Sequence, residues 1–140
     1  MSRLVLDASV VVKWVLQDDE REPDTAQALT LCESLREGRI SLVQPPHWLA
    51  EVAAACVRLK PAIAAPATAL LYAMEIPVRT NLEIYRHACE LAAELDHHVF
   101  DTLYHAVALD LLDATLVTAD RRYYQKAKRK GAIALLSEFI

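Results

Sequence analysis

Glycine is scarce in this 140-residue chain, which has only Gly38 and Gly131, far apart. A loop that cradles phosphates needs several glycines close together, so that backbone N–H groups can approach a pyrophosphate. A P-loop and a dinucleotide-binding fingerprint are therefore both excluded. No apolar run reaches the ~18–20 residues that cross a bilayer, and the amino terminus enters a strand pattern without a basic leader or cleavage site. The expectation is a soluble, cytoplasmic protein. Cysteine is also sparse: Cys32, Cys56 and Cys89 are odd in number and widely spaced within helical patterns. That indicates neither a disulfide framework nor a zinc knuckle, and the three read as small core residues.

What is present is enough apolar sequence, 54%, to bury a core, in a length that suits one domain over residues 1–140. Charge is unevenly placed. Residues 1–120 carry 9 basic and 18 acidic side chains (−9), and residues 121–140 carry 6 and 1 (+5). The local field therefore matters more than the net charge of −4.

Hydrophobic patterning alternates short β-rich runs with amphipathic stretches. RLVLDA at 3–8 reads as a strand, with Ser9 as the cap of a helix SVVVKWVL. The acidic segment DDEREPD at 18–24 reads as a solvated loop whose Asp24 caps a second helix running to Gly38, followed by a strand ISLVQ at 40–44. Pro45 and Pro46 stop that strand and lead into the helix HWLAEVAAACVRL; Pro61 begins an Ala-rich helix that Pro66 is expected to kink or break. VRT at 78–80 is a candidate short strand, and Asn81 caps the next helix. His97 and His98 then fall in a loop before FDTLYHAVALDLL. The strand ATLVTA at 114–119, a basic helix over 120–130 ended by Gly131, and the strand AIALL complete the chain. Strands alternating with helices imply a parallel sheet covered on both faces.

Four carboxylates stand in or beside apolar runs: Asp7, Glu51, Asp101 and Asp120. Asp7 and Asp120 follow strands, at the carboxyl ends where parallel sheets bind ligands. Glu51 and Asp101 begin helices, whose N-termini favour anions. Such a cluster repels itself and calls for a cation, and oxygen-only ligands select a hard one, Mg²⁺ or Mn²⁺. One or two such ions can activate water against a phosphodiester. Ser9 and Thr118, each two residues from an aspartate, are placed to orient a carboxylate or a bound water.

LVLDASVVVKW, PPHWLAEVAAA, VFDTLYHAVAL and LVTADRRYYQKA together resemble, in order and over nearly the whole chain, the PIN domain and specifically its VapC-type toxin ribonucleases. The resemblance implies a three-layer α/β/α sandwich with a central, mainly parallel sheet of four or five strands. It also implies that Asp7, Glu51, Asp101 and Asp120 form the family's acidic quartet, with Ser9 and Thr118 as accessory hydroxyls. The activity implied is an Mg²⁺-dependent endoribonuclease, with Mn²⁺ able to substitute, acting on RNA as a homodimer restrained by a cognate antitoxin. His105 is not a quartet position. A haloacid-dehalogenase phosphatase is disfavoured because its second Asp would stand where Ser9 is. The alternatives within the fold are a housekeeping RNA-processing nuclease and a non-catalytic RNA-binding or assembly module.

Two surfaces are candidates for partners. Arg121, Arg122 and Lys126 follow Asp120 directly and could hold RNA phosphates. Val11, Trp14 and Val15 make the first helix apolar on more than one face, which points to a protein partner there. The histidines read as solvated or packing residues, and Tyr123 and Tyr124 as packing residues.

Overall fold

A computed structural model describes residues 2–17 and 22–139. Residues 18–21 of the acidic loop lie outside them. Four strands, β1 (Ser2–Leu6), β2 (Ile40–Leu42), β3 (Ala114–Thr118) and β4 (Ile133–Leu135), form one parallel sheet in the order β2-β1-β3-β4. Seven helices flank it: α1 (Ala8–Val15), α2 (Thr25–Arg36), α3 (Trp48–Leu59), α4 (Pro61–Ala73), α5 (Leu82–Leu95), α6 (Val99–Asp110) and α7 (Arg121–Ala127). The architecture is the α/β/α sandwich that the alternating pattern predicts.

Leu4, Val5 and Leu6 are buried in succession, as a central parallel strand covered on both faces requires. The chain leaves β1 towards β2 on one side, while β3 pairs on the other, so strand order reverses between β1 and β3. Leu6 pairs with Val117, which brings Asp7 and Thr118 out of the sheet side by side at this crevice.

Beyond β2 the ladder ends, because Pro45 and Pro46 have no N–H to donate. The Gln44 side chain takes its place: Leu6 N–H donates to Oε1 at 2.8 Å and Nε2 donates to the Leu6 carbonyl at 2.8 Å. VRT at 78–80 is not a strand. Its one pairing is a bridge between Val78 and Gln44, since nothing beyond Gln44 can extend it.

Several caps differ from the sequence reading. Asp7, not Ser9, occupies the α1 N-cap. Asp24 stands at the N-cap of α2 with φ 60° and makes no side-chain cap bond, whereas the Asn81 side chain accepts from Ile84 N–H as expected. Pro66 does not break α4; it is exposed, as is Ala62, the residue whose carbonyl loses its helical donor there. The basic helix ends at Ala127 in a 3-10 turn over Lys128–Lys130, and Gly131 then takes φ 79°.

The apolar excess of α1 is spent inside the protein, which corrects the partner assignment. Trp14 is 7% exposed and its Nε1 donates to the Ala28 carbonyl at 2.8 Å, because α2 folds back over the second face of α1. Val11 is buried and Val15 half-buried. Cys56 is buried and Cys32 half-buried, but Cys89 is exposed on α5. Tyr123 is buried in packing as expected, its hydroxyl 2.9 Å from Nδ1 of the buried His105. Among the described residues no helix is long and apolar enough to cross a membrane.

Candidate metal centre

Four helix N-termini point at the crevice between β1 and β3. Asp7 is the N-cap of α1 and Asp120 the N-cap of α7, while Glu51 and Asp101 lie in the first turns of α3 and α6. All four carboxylates line one cleft of about 460 Å³. The partial positive charge of each helix end offsets part of their repulsion.

The side chains of Asp7, Glu51 and Asp101 each bring one carboxylate oxygen within 4.8 Å of the others. Asp120 joins from the far side: it forms a second group with Asp101 and His97 at the same spacing, so Asp101 is common to both. Ser9 Oγ donates to Asp7 Oδ2 at 2.6 Å, and Thr118 Oγ1 donates to the same oxygen at 3.1 Å. Ser9 Oγ also accepts from Ala119 N–H at 3.1 Å, and Thr118 Oγ1 from Asp120 N–H at 3.0 Å. The two hydroxyls thus tie the ends of β1 and β3 together around Asp7. Asp120 is held in turn by Tyr123 N–H, which donates to Oδ1 at 3.0 Å.

Burial and repulsion show in the proton affinities. Burial, with the charges of Asp101 and Asp120, pushes Asp7 up to about 6 against the opposing bonds from Ser9 and Thr118. Burial also pushes Glu51 up to about 7; the Tyr104 hydroxyl, donating to Oε1 at 2.8 Å, opposes this, and Asp7 and Asp101 add to it. Burial and the neighbouring carboxylates raise Tyr104 itself, so it remains a donor. Burial lowers His47, whose Nε2 donates to the Phe100 carbonyl at 2.7 Å.

The basic residues divide. Arg121 and Arg122 are exposed beside Asp120, although Arg121 Nη2 also donates to Ser137 Oγ at 3.1 Å. Lys126 is engaged within the protein, donating to the Asp96 carbonyl at 2.7 Å and lying 3.3 Å from His97 Nδ1. His97 is therefore neither solvated nor merely packed, contrary to the sequence reading: its side chain is 8% exposed and its Nε2 lies 2.9 Å from Asp101 Oδ2.

Lys13 is a further site residue that sequence reasoning does not reach. It is a buried cation in the cleft wall, its Nζ 3.3 Å from Glu22 Oε1. The available signals were a lone lysine inside an apolar helix, a histidine four residues before Asp101, and a tyrosine three residues after it. None of these is distinctive without the tertiary neighbours.

The PIN domain family matches the chain over residues 4–129. No curated protein matches it.

Proposed function

The chain belongs to the PIN domain family, and we propose that it is an Mg²⁺-dependent endoribonuclease, the toxin of a toxin–antitoxin pair, with Asp7, Glu51, Asp101 and Asp120 as its catalytic carboxylates. The observation that carries this is the convergence of Asp7, Glu51 and Asp101 within 4.8 Å. The donor set fits a hard divalent cation: it is rich in carboxylate oxygen, and the burial that, with the neighbouring carboxylates, raises the proton affinities of Asp7 and Glu51 is offset when a cation sits between them. Such a cation, when bound, supplies Lewis-acid charge to a phosphodiester and acidifies water.

The protein's own groups prepare that chemistry. Ser9 and Thr118 fix one oxygen of Asp7, Tyr104 fixes Oε1 of Glu51, and Tyr123 N–H fixes Oδ1 of Asp120. The carboxylates are thereby aimed before substrate arrives. Arg121 and Arg122, exposed where α7 leaves the cleft, would hold flanking phosphates of the RNA.

The protein partners need a surface other than α1. The groove between α3 and α4, about 720 Å³ and lined by Ala53, Val57, Pro61 and Tyr72 among others, supports an antitoxin or a second copy of the chain there. A housekeeping nuclease would use the same carboxylates, so two measurements are needed. Cleavage of RNA should require Mg²⁺ or Mn²⁺ and disappear in EDTA and in Asp101→Asn. Expression alone should arrest growth, and that arrest should disappear in Asp101→Asn; cleavage without arrest favours the housekeeping role.

A further inference from the structure

We propose that His97 is a positioning residue, held in one tautomer by Lys126, that orients Asp101 and is not itself a metal ligand. The proposal rests on the reading of the carboxylates as a metal centre. By distance alone His97, Asp101 and Asp120 form a second three-ligand group. The donor chemistry of the neighbours argues otherwise.

The Lys126 ammonium carries only donors, and it lies 3.3 Å from His97 Nδ1. The nitrogen facing it must supply a lone pair. A neutral imidazole has one N–H, which is thereby assigned to Nε2, the atom 2.9 Å from Asp101 Oδ2. The bond is then N–H to carboxylate, and Nε2 has no lone pair to offer a cation between Asp101 and Asp120. Among the described residues nothing else bonds the Asp101 carboxylate, so Oδ1 remains open to the cation while Oδ2 is held.

The ring has little freedom to flip out of this arrangement. Its side chain is 8% exposed and it packs on Tyr123 with centroids 4.8 Å apart. Lys126 is anchored a second time, on the Asp96 carbonyl at 2.7 Å. Lys126 therefore acts on the metal centre through His97, which removes it from the set of free phosphate contacts. This is the arrangement by which a ligand's outer hydrogen-bond partner sets its orientation, and losing such a partner costs about 10–100-fold in metal affinity.

Long-range ¹H–¹⁵N correlation on the metal-free protein at neutral pH should show His97 with its proton on Nε2, and Lys126→Met should weaken that preference. A proton on Nδ1 would overturn the proposal directly, without any variant. Calorimetric titration with Mn²⁺ gives the second readout. His97→Ala should lower affinity about 10–100-fold, while His97→Gln, whose amide can still donate to Oδ2, should retain most of it. Equal losses in His97→Ala and His97→Gln would make His97 a ligand and sink the proposal. Asp101→Asn separates the two levels of argument. If it binds Mn²⁺ as the unaltered protein does, the metal-centre reading fails. If it loses binding while His97→Ala, shown folded by circular dichroism, keeps it, only the role of His97 fails.

Discussion

Helix α3 has hollows of opposite character on its two sides. On one side lies the cleft of about 460 Å³, into which Glu51 brings its charge beside Asp7 and Asp101; on the other lies the groove of about 720 Å³ shared with α4, where Val57 is 58% and Tyr72 75% exposed. The first hollow crowds more carboxylates than cations, a balance that a bound cation would redress. The second holds uncovered apolar area, of the kind that another apolar surface would cover. The two needs are chemically independent even though one helix serves both, so perturbing one side should leave the other intact.

The largest expected effect tests that independence. Asp7→Asn and Asp101→Asn should each lower RNA cleavage by ~10³-fold or more, the several kcal/mol that a positioned cation contributes. Tyr72→Arg should leave cleavage unchanged and reduce association with a protein partner or a second copy. If Tyr72→Arg abolished cleavage with the fold intact, the two sides of α3 would be coupled.

Trp14 sharpens the contrast between covered and uncovered apolar surface. Trp14→Ala should destabilise the fold by ~3–5 kcal/mol, as expected of a buried aromatic that also loses a hydrogen bond. Chemical denaturation measures this. A change near zero would return Trp14 to the surface.

The charged hollow should also make the metal-free protein lose stability with rising pH. Burial, with the neighbouring carboxylates, pushes Asp7 up to about 6 and Glu51 up to about 7 in the fold, from ordinary values of 3.8 and 4.5. Around pH 4 the fold holds these two protons more tightly than the unfolded chain does. As pH rises towards 7 the unfolded chain gives them up first, so the contribution of these groups falls, by roughly 3 kcal/mol for the buried Asp7 and by less for the partly solvated Glu51. Thermal melts should show this loss relative to an Asp7→Asn, Glu51→Gln double variant. Mn²⁺ should raise the melting temperature more at pH 8 than at pH 5.5, because it competes with those protons. A metal response independent of pH would contradict the site.

The smallest effect belongs to the basic end. Arg121→Ala with Arg122→Ala should flatten the salt dependence of RNA binding, measured without divalent metal, by roughly 0.7 in logarithmic slope for each phosphate no longer neutralised. Lys126→Ala should leave the slope alone.

The convergence of Asp7 and Asp120 could be read from sequence because each follows an apolar run of strand composition, and the carboxyl ends of strands in a parallel sheet meet at one edge. Glu51 and Asp101 could be read because a carboxylate opening a helix has a dipole to face. His97 could not. Its role depends on Lys126, twenty-nine residues away, and on which ring nitrogen carries the proton, neither of which leaves a trace in hydrophobic pattern. Trp14 misleads for a related reason: a second apolar face looks the same in sequence whether α2 or another molecule covers it. VRT has strand-like composition, but the prolines that end its would-be partner lie far earlier in the chain.

The pairing of Gln44 with Leu6 has a kinetic consequence. Both polar atoms of the Leu6 backbone are satisfied by one buried side chain, and the next amide, Asp7 N–H, donates across the sheet to the Val117 carbonyl at 3.1 Å. Two consecutive amides beneath the cleft are thus sealed from solvent, and their hydrogens can leave only when the sheet itself opens. In deuterium exchange they should be among the slowest in the protein, while at the rim the amides of Arg121 and Arg122, exposed in the first turn of α7, exchange quickly. Gln44→Leu, by unsealing Leu6, should speed exchange there before any change is felt at the rim.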